Sequence, residues 1–267
     1  MEILSYTFFQ NALLGVLMVS IAAGIIGTYV VSRRMVFISG GITHACFGGL
    51  GLGFYLGFNP IAMAAVFAIA AATGVEWMAT KQNVRQDSAI GVIWALGMAL
   101  GTFFIFLSPG YVPELTSFLF GNVLTITATD ICLFAVYLVV LLAFFAIFYP
   151  QIVLCAFDRD FAATRRLRVG IINLAMTIMI AICIVLTIRL IGIMLLLSLL
   201  TVPQMIAELF TIRFKTMMII SAGVSMICSV LGIFCSYWIA VPASATIVLT
   251  LVAAYAIARI ARKIKAL

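Results

Sequence analysis

The chain has 267 residues, of which 66% are hydrophobic and 9% are charged. Soluble domains are about 45–50% apolar and about 25% charged, so this composition excludes a soluble fold and indicates a protein that lies almost wholly in a membrane. The formal net charge is +7, from 15 basic and 8 acidic residues. Few basic residues alternate with aromatic residues as they do on a nucleic-acid surface. We therefore expect no nucleic-acid partner and explain the basic residues by membrane topology.

Apolar stretches of about 20 residues follow one another along the chain, separated by charged residues and by two proline-containing turns. They predict an all-α membrane helix bundle that forms one domain over residues 1–267. About nine helices are predicted, with eight as the alternative, near residues 9–32, 37–57, 61–80, 88–107, 131–150, 170–188, 191–210, 216–238 and 243–260. The stretch from Ser108 to Asp130 contains two prolines, and its apolar part is short, so we expect a re-entrant or interfacial segment there.

The basic residues lie on one side of this arrangement. Nine spans place the two ends of the chain on opposite sides of the membrane. If the C-terminus is cytoplasmic, 14 of the 15 basic residues are cytoplasmic and only Arg189 is outside. The positive-inside rule therefore predicts an external N-terminus and a cytoplasmic C-terminus, with membrane lipid as the partner of most basic residues.

Three sequence motifs that are typical of enzymes are absent from the chain. A single histidine excludes the zinc-protease motif H-E-x-x-H, and no G-x-S-x-G is present. No lysine follows a glycine, so the chain has no G-x-x-x-x-G-K-[ST] phosphate loop. We predict that the chain is not an enzyme, that it holds no cofactor, and that any ATP hydrolysis takes place in a separate subunit.

Four ionisable residues, His44, Glu76, Arg189 and Glu208, fall at or near membrane depth. Burying a charge in lipid is expensive, so such residues are functional candidates. Neutral imidazole is a common ligand for divalent transition metals, which makes His44 a candidate metal ligand. The alternative for His44 is a hydrogen-bonded structural histidine. For the two glutamates, the alternative is pairing at the interface with basic residues about one turn away.

The longest predicted cytoplasmic segment covers residues 151–169 and contains two aspartates and four arginines. A short amphipathic helix in this segment would present Phe157, Phe161 and Leu167 to a partner, with charged residues around them. An ordinary solvated loop is the alternative.

Four segments in chain order carry a family resemblance. SRRMVFISGGITHACFGGLGLGF (residues 32–54) resembles the arginine, small-residue and Ser/Thr-His-Ala segment of the membrane subunits of zinc, manganese and iron ABC importers. IGIMLLLSLLTVPQMIAELF (residues 191–210) is similar to that family's Gly-x-Leu-Leu and Leu-Leu-x-x-Pro run. Leu119-Phe120-Gly121-Asn122, followed by Asp130, and the pair Phe157-Asp158 resemble two further family segments. The resemblance covers essentially the whole chain.

This resemblance implies a function and a set of partners. The chain would be the pore-forming permease of an ATP-driven importer of divalent transition-metal ions, namely zinc, manganese or iron, in the cytoplasmic membrane of a bacterium. It would act as a homodimer with two copies of a separate ATPase and with an extracytoplasmic metal-binding protein. The alternatives are a permease of similar architecture for chelated iron, haem or cobalamin, and an ion-coupled secondary transporter.

The resemblance also assigns roles to particular residues. It maps the family's histidine, and with it the metal, to His44. Glu208 is a second candidate, because it is acidic where the family suggests a basic or neutral residue and could compensate for the acid missing at Gly40, but its predicted depth argues against direct pairing with His44. Gly192 and Pro203 belong to the motif of the seventh predicted helix. Coupling to the ATPase falls on Phe157, Asp158, Phe161, Arg165 and Arg166. The sequence departs from the family at Gly40, where an aspartate typically precedes the histidine by four residues, and at Arg165 and Arg166, where a glycine usually follows.

Overall fold

The computed structural model describes residues 6–82, 84–109, 121 and 126–265. Every regular element in these residues is an α-helix, which confirms the predicted all-α fold. The helices are α1 (Thr7–Ser32), α2 (Val36–Leu56), α3 (Pro60–Lys81), α4 (Gln86–Leu107), α5 (Ala128–Phe157), α6 (Arg159–Thr164), α7 (Val169–Ile191), α8 (Ile193–Leu199), α9 (Val202–Glu208), α10 (Phe214–Ile239) and α11 (Ala243–Lys265).

Eight of these helices are long and apolar enough to cross a membrane. The structure differs from the sequence prediction at the seventh predicted helix, residues 191–210, where it has the two short helices α8 and α9. Gly192 precedes α8 with φ 81° and ψ 171°, a conformation that favours glycine and interrupts the helix. Pro203 lies in the first turn of α9, where a helix does not need the missing N–H.

Two predicted segments lie near the ends of α5. Most of the predicted re-entrant segment lies outside the described residues, namely residues 110–120 and 122–125. The prediction of a re-entrant or interfacial segment is therefore untested. At its other end, α5 passes through Pro150 and continues to Phe157, seven residues beyond the predicted end at residue 150. The beginning of the predicted cytoplasmic segment is therefore helical.

The chain divides into two compact units. The first comprises the described residues of Met1–Arg34, Leu115–Phe157 and Leu186–Leu267, and the second those of Met35–Glu114 and Asp158–Val185. Helix α7 contributes to both units. The prediction of one domain over residues 1–267 stays a prediction.

In the first unit, α8 and α9 together run in the same direction as α1. A Cβ on Gly15, in the first half of α1, would lie 4.0 Å from Leu190, just before α8. A Cβ on Gly27, near the end of α1, would lie 2.6 Å from the side chain of Gln204 in α9. Residues 15 and 27 of α1 are about 18 Å apart along the helix axis. Helices α8 and α9, which we call the broken segment, therefore extend along more than half of the length that one membrane-spanning helix requires.

The other helices of the first unit place most of its basic residues at one end. The rings of Phe9 in α1 and Phe234 in α10 are 5.9 Å apart, and Gly24 contacts Ala222, so α10 runs antiparallel to α1. Helix α11 in turn runs antiparallel to α10, because Thr246 donates to the carbonyl of Gly232 and Thr250, one turn later, to that of Cys228. The ends of α1, α9 and α11 and the start of α10 therefore meet at what we call the basic end, which carries Arg33, Arg34, Arg213, Lys215, Arg259, Arg262 and Lys263.

In the second unit, glycines allow α2 to pack closely against α3 and α4. A Cβ on Gly51 of α2 would lie 2.6 Å from the carbonyl oxygen of Gly101 in α4. A Cβ on Gly49 would lie 2.7 Å from the Cα of Ala64 in α3. Lipid tails are as apolar as the helix surfaces, so membrane helices associate through close packing of this kind. The close packing of the helices in the second unit therefore depends on glycines at the points where the helices meet.

We predict that Gly97→Ala destabilises the protein whereas Gly91→Ala, in the same helix, does not. A Cβ on Gly97 would overlap the backbone of Ala45, and a Cβ on Gly91 meets nothing within 4 Å. Overpacking costs about 1–3 kcal/mol, and alanine has the higher helix propensity. Thermal unfolding in detergent should show a lower midpoint for Gly97→Ala only. Equal midpoints for the two variants would contradict the packing argument.

Candidate functional site

His44 lies near the middle of α2 and is half-buried. Its imidazole stacks on the indole of Trp94 in α4, with ring centroids 4.2 Å apart and planes 9° from parallel. Trp94 is 38% exposed, so the ring pair lies at the edge of the α2–α4 contact. The stacking orients the imidazole and leaves its ring nitrogens, which lie in the ring plane, as the groups that can bind a metal.

The residues around His44 fix its place on α2. A Cβ on Gly40 would lie 3.7 Å from Cζ3 of Trp94, so the indole extends along α2 from His44 to Gly40. The hydroxyl of Thr43 donates to the carbonyl of Ser39 in the same helix, at 2.6 Å. No three residues among His, Cys, Asp and Glu come together in the described part of the chain. One copy therefore offers a metal the imidazole of His44 rather than a full set of protein ligands.

Glu208, the second candidate metal residue, is the last residue of α9 and is exposed. It lies at the basic end of the first unit, whereas His44 belongs to the second unit. Its assignment to the metal stays a prediction.

Gly192, in the motif of the seventh predicted helix, contacts another glycine of the predicted family segments. A Cβ on Gly121 would lie 2.6 Å from the Cα of Gly192 and 2.5 Å from the carbonyl carbon of Ile191. Gly121 has φ 60° and Gly192 has φ 81°. Two backbones in the left-handed region pack directly on one another, which explains why each position holds a glycine.

Pro203, also in that motif, is buried beside a polar residue that the sequence analysis missed. Gln204 is fully buried, and its Nε2 donates to the carbonyls of Ala23, at 2.8 Å, and of Leu199, at 3.2 Å. The bond to Ala23 fastens α9 to α1. The signal in the sequence was an isolated amide side chain within an otherwise apolar run.

Arg189, predicted as the single external basic residue, is paired with Asp130. Its Nε lies 2.5 Å from Oδ1 of Asp130, which is 7% exposed. The other carboxylate oxygen of Asp130 accepts hydrogen bonds from the backbone and hydroxyl of Thr127, at 3.2 and 2.7 Å. Asp130 is in the first turn of α5 and Arg189 in the last turn of α7, so each charge also interacts favourably with its helix dipole.

Glu76 is half-buried in α3 and accepts a hydrogen bond from the hydroxyl of Thr177 in α7, at 3.1 Å. Both residues belong to the second unit. The bond connects α3 to α7, the helix that follows the predicted coupling segment. The sequence alternative had considered only partners close to Glu76 in the chain.

The predicted coupling segment contains the short helix α6. The side chain of Asp158 caps it, because Oδ1 accepts a hydrogen bond from the backbone N–H of Phe161 at 2.8 Å. Phe161 is 45% exposed, and the guanidinium of Arg165 lies 5.2 Å from its ring centroid. Arg166 has φ 59° just after the helix and is exposed. Helix α6 therefore presents an exposed aromatic ring and arginines, residue types that are enriched at protein interfaces.

Phe157, which immediately precedes this helix, has a different environment. It is 62% exposed, and its ring packs edge-on against Phe214 of α10, with centroids 6.1 Å apart. Part of this side chain therefore stabilises the first unit.

Comparison with known proteins gives sequence relatives along the whole chain. The model of the ABC 3 transport family matches residues 5–262. An uncharacterized membrane protein of Synechocystis is 38% identical over 256 residues, which cover 96% of this chain and 91% of the relative. The manganese transport system membrane protein MntC of Listeria monocytogenes is 27% identical over 247 residues, which cover 92% of this chain and 88% of the relative.

A solved structure agrees with these matches. PsaBC from Streptococcus pneumoniae, solved in complex with Fab, superposes with a TM-score of 0.85 at 28% sequence identity. The match covers 96% of this chain and 92% of the other. The family model, the relatives and the fold agree over nearly the same residues, and they confirm the resemblance found in the sequence motifs. The chain belongs to the ABC 3 transport family.

Proposed function

We propose that this chain is the pore-forming permease subunit of an ATP-driven importer of divalent transition-metal ions. The observation that carries the proposal is the family match over residues 5–262. The name of the Listeria relative, a manganese transport system membrane protein, supports manganese as the cargo. Zinc and iron are the other ions that the sequence motifs imply. The match to an ABC transport family argues against an ion-coupled secondary transporter.

The energy for transport would come from other subunits. The sequence has no phosphate loop, so a separate ATPase would hydrolyse ATP on the cytoplasmic side. A second copy of this chain would complete the pore, and an extracytoplasmic binding protein would deliver the ion. These partners follow from the family and from the absence of the motif.

His44 would lie on the path of the ion. A dehydrated divalent ion needs ligands inside an apolar pore, and neutral imidazole supplies one without placing a permanent charge in lipid. A second copy would supply a second His44. Incomplete coordination suits a conduit, because an ion that is held too tightly cannot leave.

We predict that His44→Gln lowers metal uptake by about tenfold or more. Loss of a residue that only supports a metal ligand already lowers metal affinity or activity by about 10- to 100-fold. Glutamine keeps the hydrogen bonding of histidine but binds these metals poorly. Uptake of manganese, zinc and iron by the reconstituted complex measures the effect and identifies the cargo. Thr43→Val is the matched control, since the Thr43 hydroxyl bonds within its own helix.

Wild-type uptake by His44→Gln would make His44 a structural histidine. Uptake of chelated iron, haem or cobalamin, without uptake of free ions, would favour the alternative cargo.

Helix α6 would contact the ATPase, with Phe161 as the central side chain. Asp158 holds the first turn of α6 in place through its capping bond, and Arg165 covers one face of the ring. An exposed aromatic ring rimmed by arginines fits a partner surface that carries an apolar pocket and acidic residues.

We predict that Phe161→Ser weakens copurification of the ATPase by about tenfold or more, because aromatic residues at the centre of an interface carry much of its binding energy. The ATPase retained on the purified permease measures the effect. Phe106→Ser is the control, because Phe106 is an exposed aromatic residue near the end of α4, outside the coupling segment. Equal retention in both variants would show that α6 is a solvated segment.

The basic end of the first unit would face the cytoplasm, with the N-terminus outside. The positive-inside rule supports this orientation, because seven basic residues whose side chains are described, and one such acidic residue, Glu208, lie at this end of the unit.

We predict that an impermeant maleimide added from outside labels cysteines at positions 58 and 241 but not at positions 82 and 212. All four side chains are exposed, and the first two lie in the turns before α3 and α11. The measurement uses single-cysteine variants of a chain without its six native cysteines. The reverse labelling pattern would overturn the orientation.

A further inference from the structure

The first unit has an open cleft between α1, α5 and α10, which encloses about 380 Å³. Ile25 and Phe145 form its buried floor, and Leu142 and Ala146 form an exposed wall. This volume falls within the range of small-molecule sites, and the cleft opens on helices that are apolar enough to span a membrane. We call it the α5 cleft.

The α5 cleft is apolar along its length and polar at one end. Helix α5 contributes Leu142, Phe145 and Tyr149 at successive turns, over about 10 Å. Lys215, the second residue of α10, lines the cleft at the Tyr149 end, where the rings of Tyr149 and Phe214 are 6.2 Å apart. The cleft therefore combines an apolar channel with an ammonium group at its mouth.

The mouth of the α5 cleft lies toward the basic end of the first unit. Lys215 and Arg213 are both exposed there, as are Arg259 and Arg262 of α11. Such an excess of positive charge at the mouth of an apolar cleft complements an anionic headgroup. A zwitterionic headgroup would lack this advantage.

One residue of the cleft wall also lacks a helical hydrogen bond to its carbonyl. Pro150 lies within α5 and has no N–H, so it cannot make the helical hydrogen bond to the carbonyl of Ala146. Ala146 lines the cleft.

We propose that the α5 cleft binds one anionic phospholipid, with its headgroup phosphate at Lys215 and an acyl chain along α5 toward Leu142. Phosphatidylglycerol is the lipid used to test the proposal, because its headgroup carries a negatively charged phosphate and no compensating positive charge. The site does not depend on the identity of the transported ion.

The test titrates the delipidated full-length permease, in detergent, with phosphatidylglycerol and with phosphatidylcholine of the same acyl chains. Native mass spectrometry counts the lipids bound. We expect one phosphatidylglycerol to bind in preference to phosphatidylcholine, and Lys215→Gln to reduce that preference about fivefold. Lys263→Gln removes one charge from α11 and is the control, because Lys263 does not line the cleft.

A second pair of variants tests the apolar channel. Ala146→Phe fills the α5 cleft and should abolish binding of the one preferred lipid, whereas Ala143→Phe, one turn earlier on α5 and outside the cleft, should not. Equal binding of the two lipids would overturn the proposal, as would an unchanged preference in Lys215→Gln. Soluble glycerol phosphate should not displace the lipid, and displacement would show an anion site without a role for the acyl chain. A second copy of the chain in place of the lipid would also overturn the proposal.

Discussion

Close approach of helix backbones is the constraint on which the rest of this structure depends. The long helices are apolar over most of their surface, and lipid competes for every apolar surface, so burial alone does not determine which faces meet. The contacts form where side chains are smallest, as between Gly51 and Gly101 in the second unit and between Gly24 and Ala222 in the first. His44 is placed against Trp94 because glycines on either side of it bring α2 and α4 together.

Buried polar groups show a second consequence of the membrane environment. An unsatisfied polar group in hydrocarbon costs several kcal/mol, so most of those described here have specific partners. Gln204 bonds the carbonyl of Ala23, and Asp130 pairs with Arg189. The first interaction joins α9 to α1, and the second joins the end of α7 to the start of α5. His44 differs because its described contact is a ring face, which leaves its nitrogens available for a ligand.

The irregular backbone lies where the family motifs meet. Gly192 ends the continuity of α7, and Pro203 lies in the first turn of α9, after the break at Leu200 and Thr201. Non-helical backbone inside a membrane is tolerated only where protein or a water-filled cavity surrounds it. The packing of Gly121 on Gly192 and the amide of Gln204 provide that surrounding. The interruption of the helix is therefore stabilised by specific contacts within the first unit.

The sequence by itself determined the membrane class, the all-α fold, the positions of eight long helices and the family. Those features follow from composition, from the length of apolar runs and from local motifs such as the histidine segment around His44. Only the tertiary structure decided that residues 191–210 are two short helices, that Arg189 pairs with Asp130 and that Glu76 accepts a bond from Thr177. Arg189 and Asp130 are 59 residues apart in the chain, and Glu76 and Thr177 are 101 residues apart. No local sequence pattern can specify partners at such separations. Hydropathy also could not reveal that the helix over residues 191–210 is interrupted. A glycine or a proline leaves an apolar run apolar, although it changes the backbone conformation there.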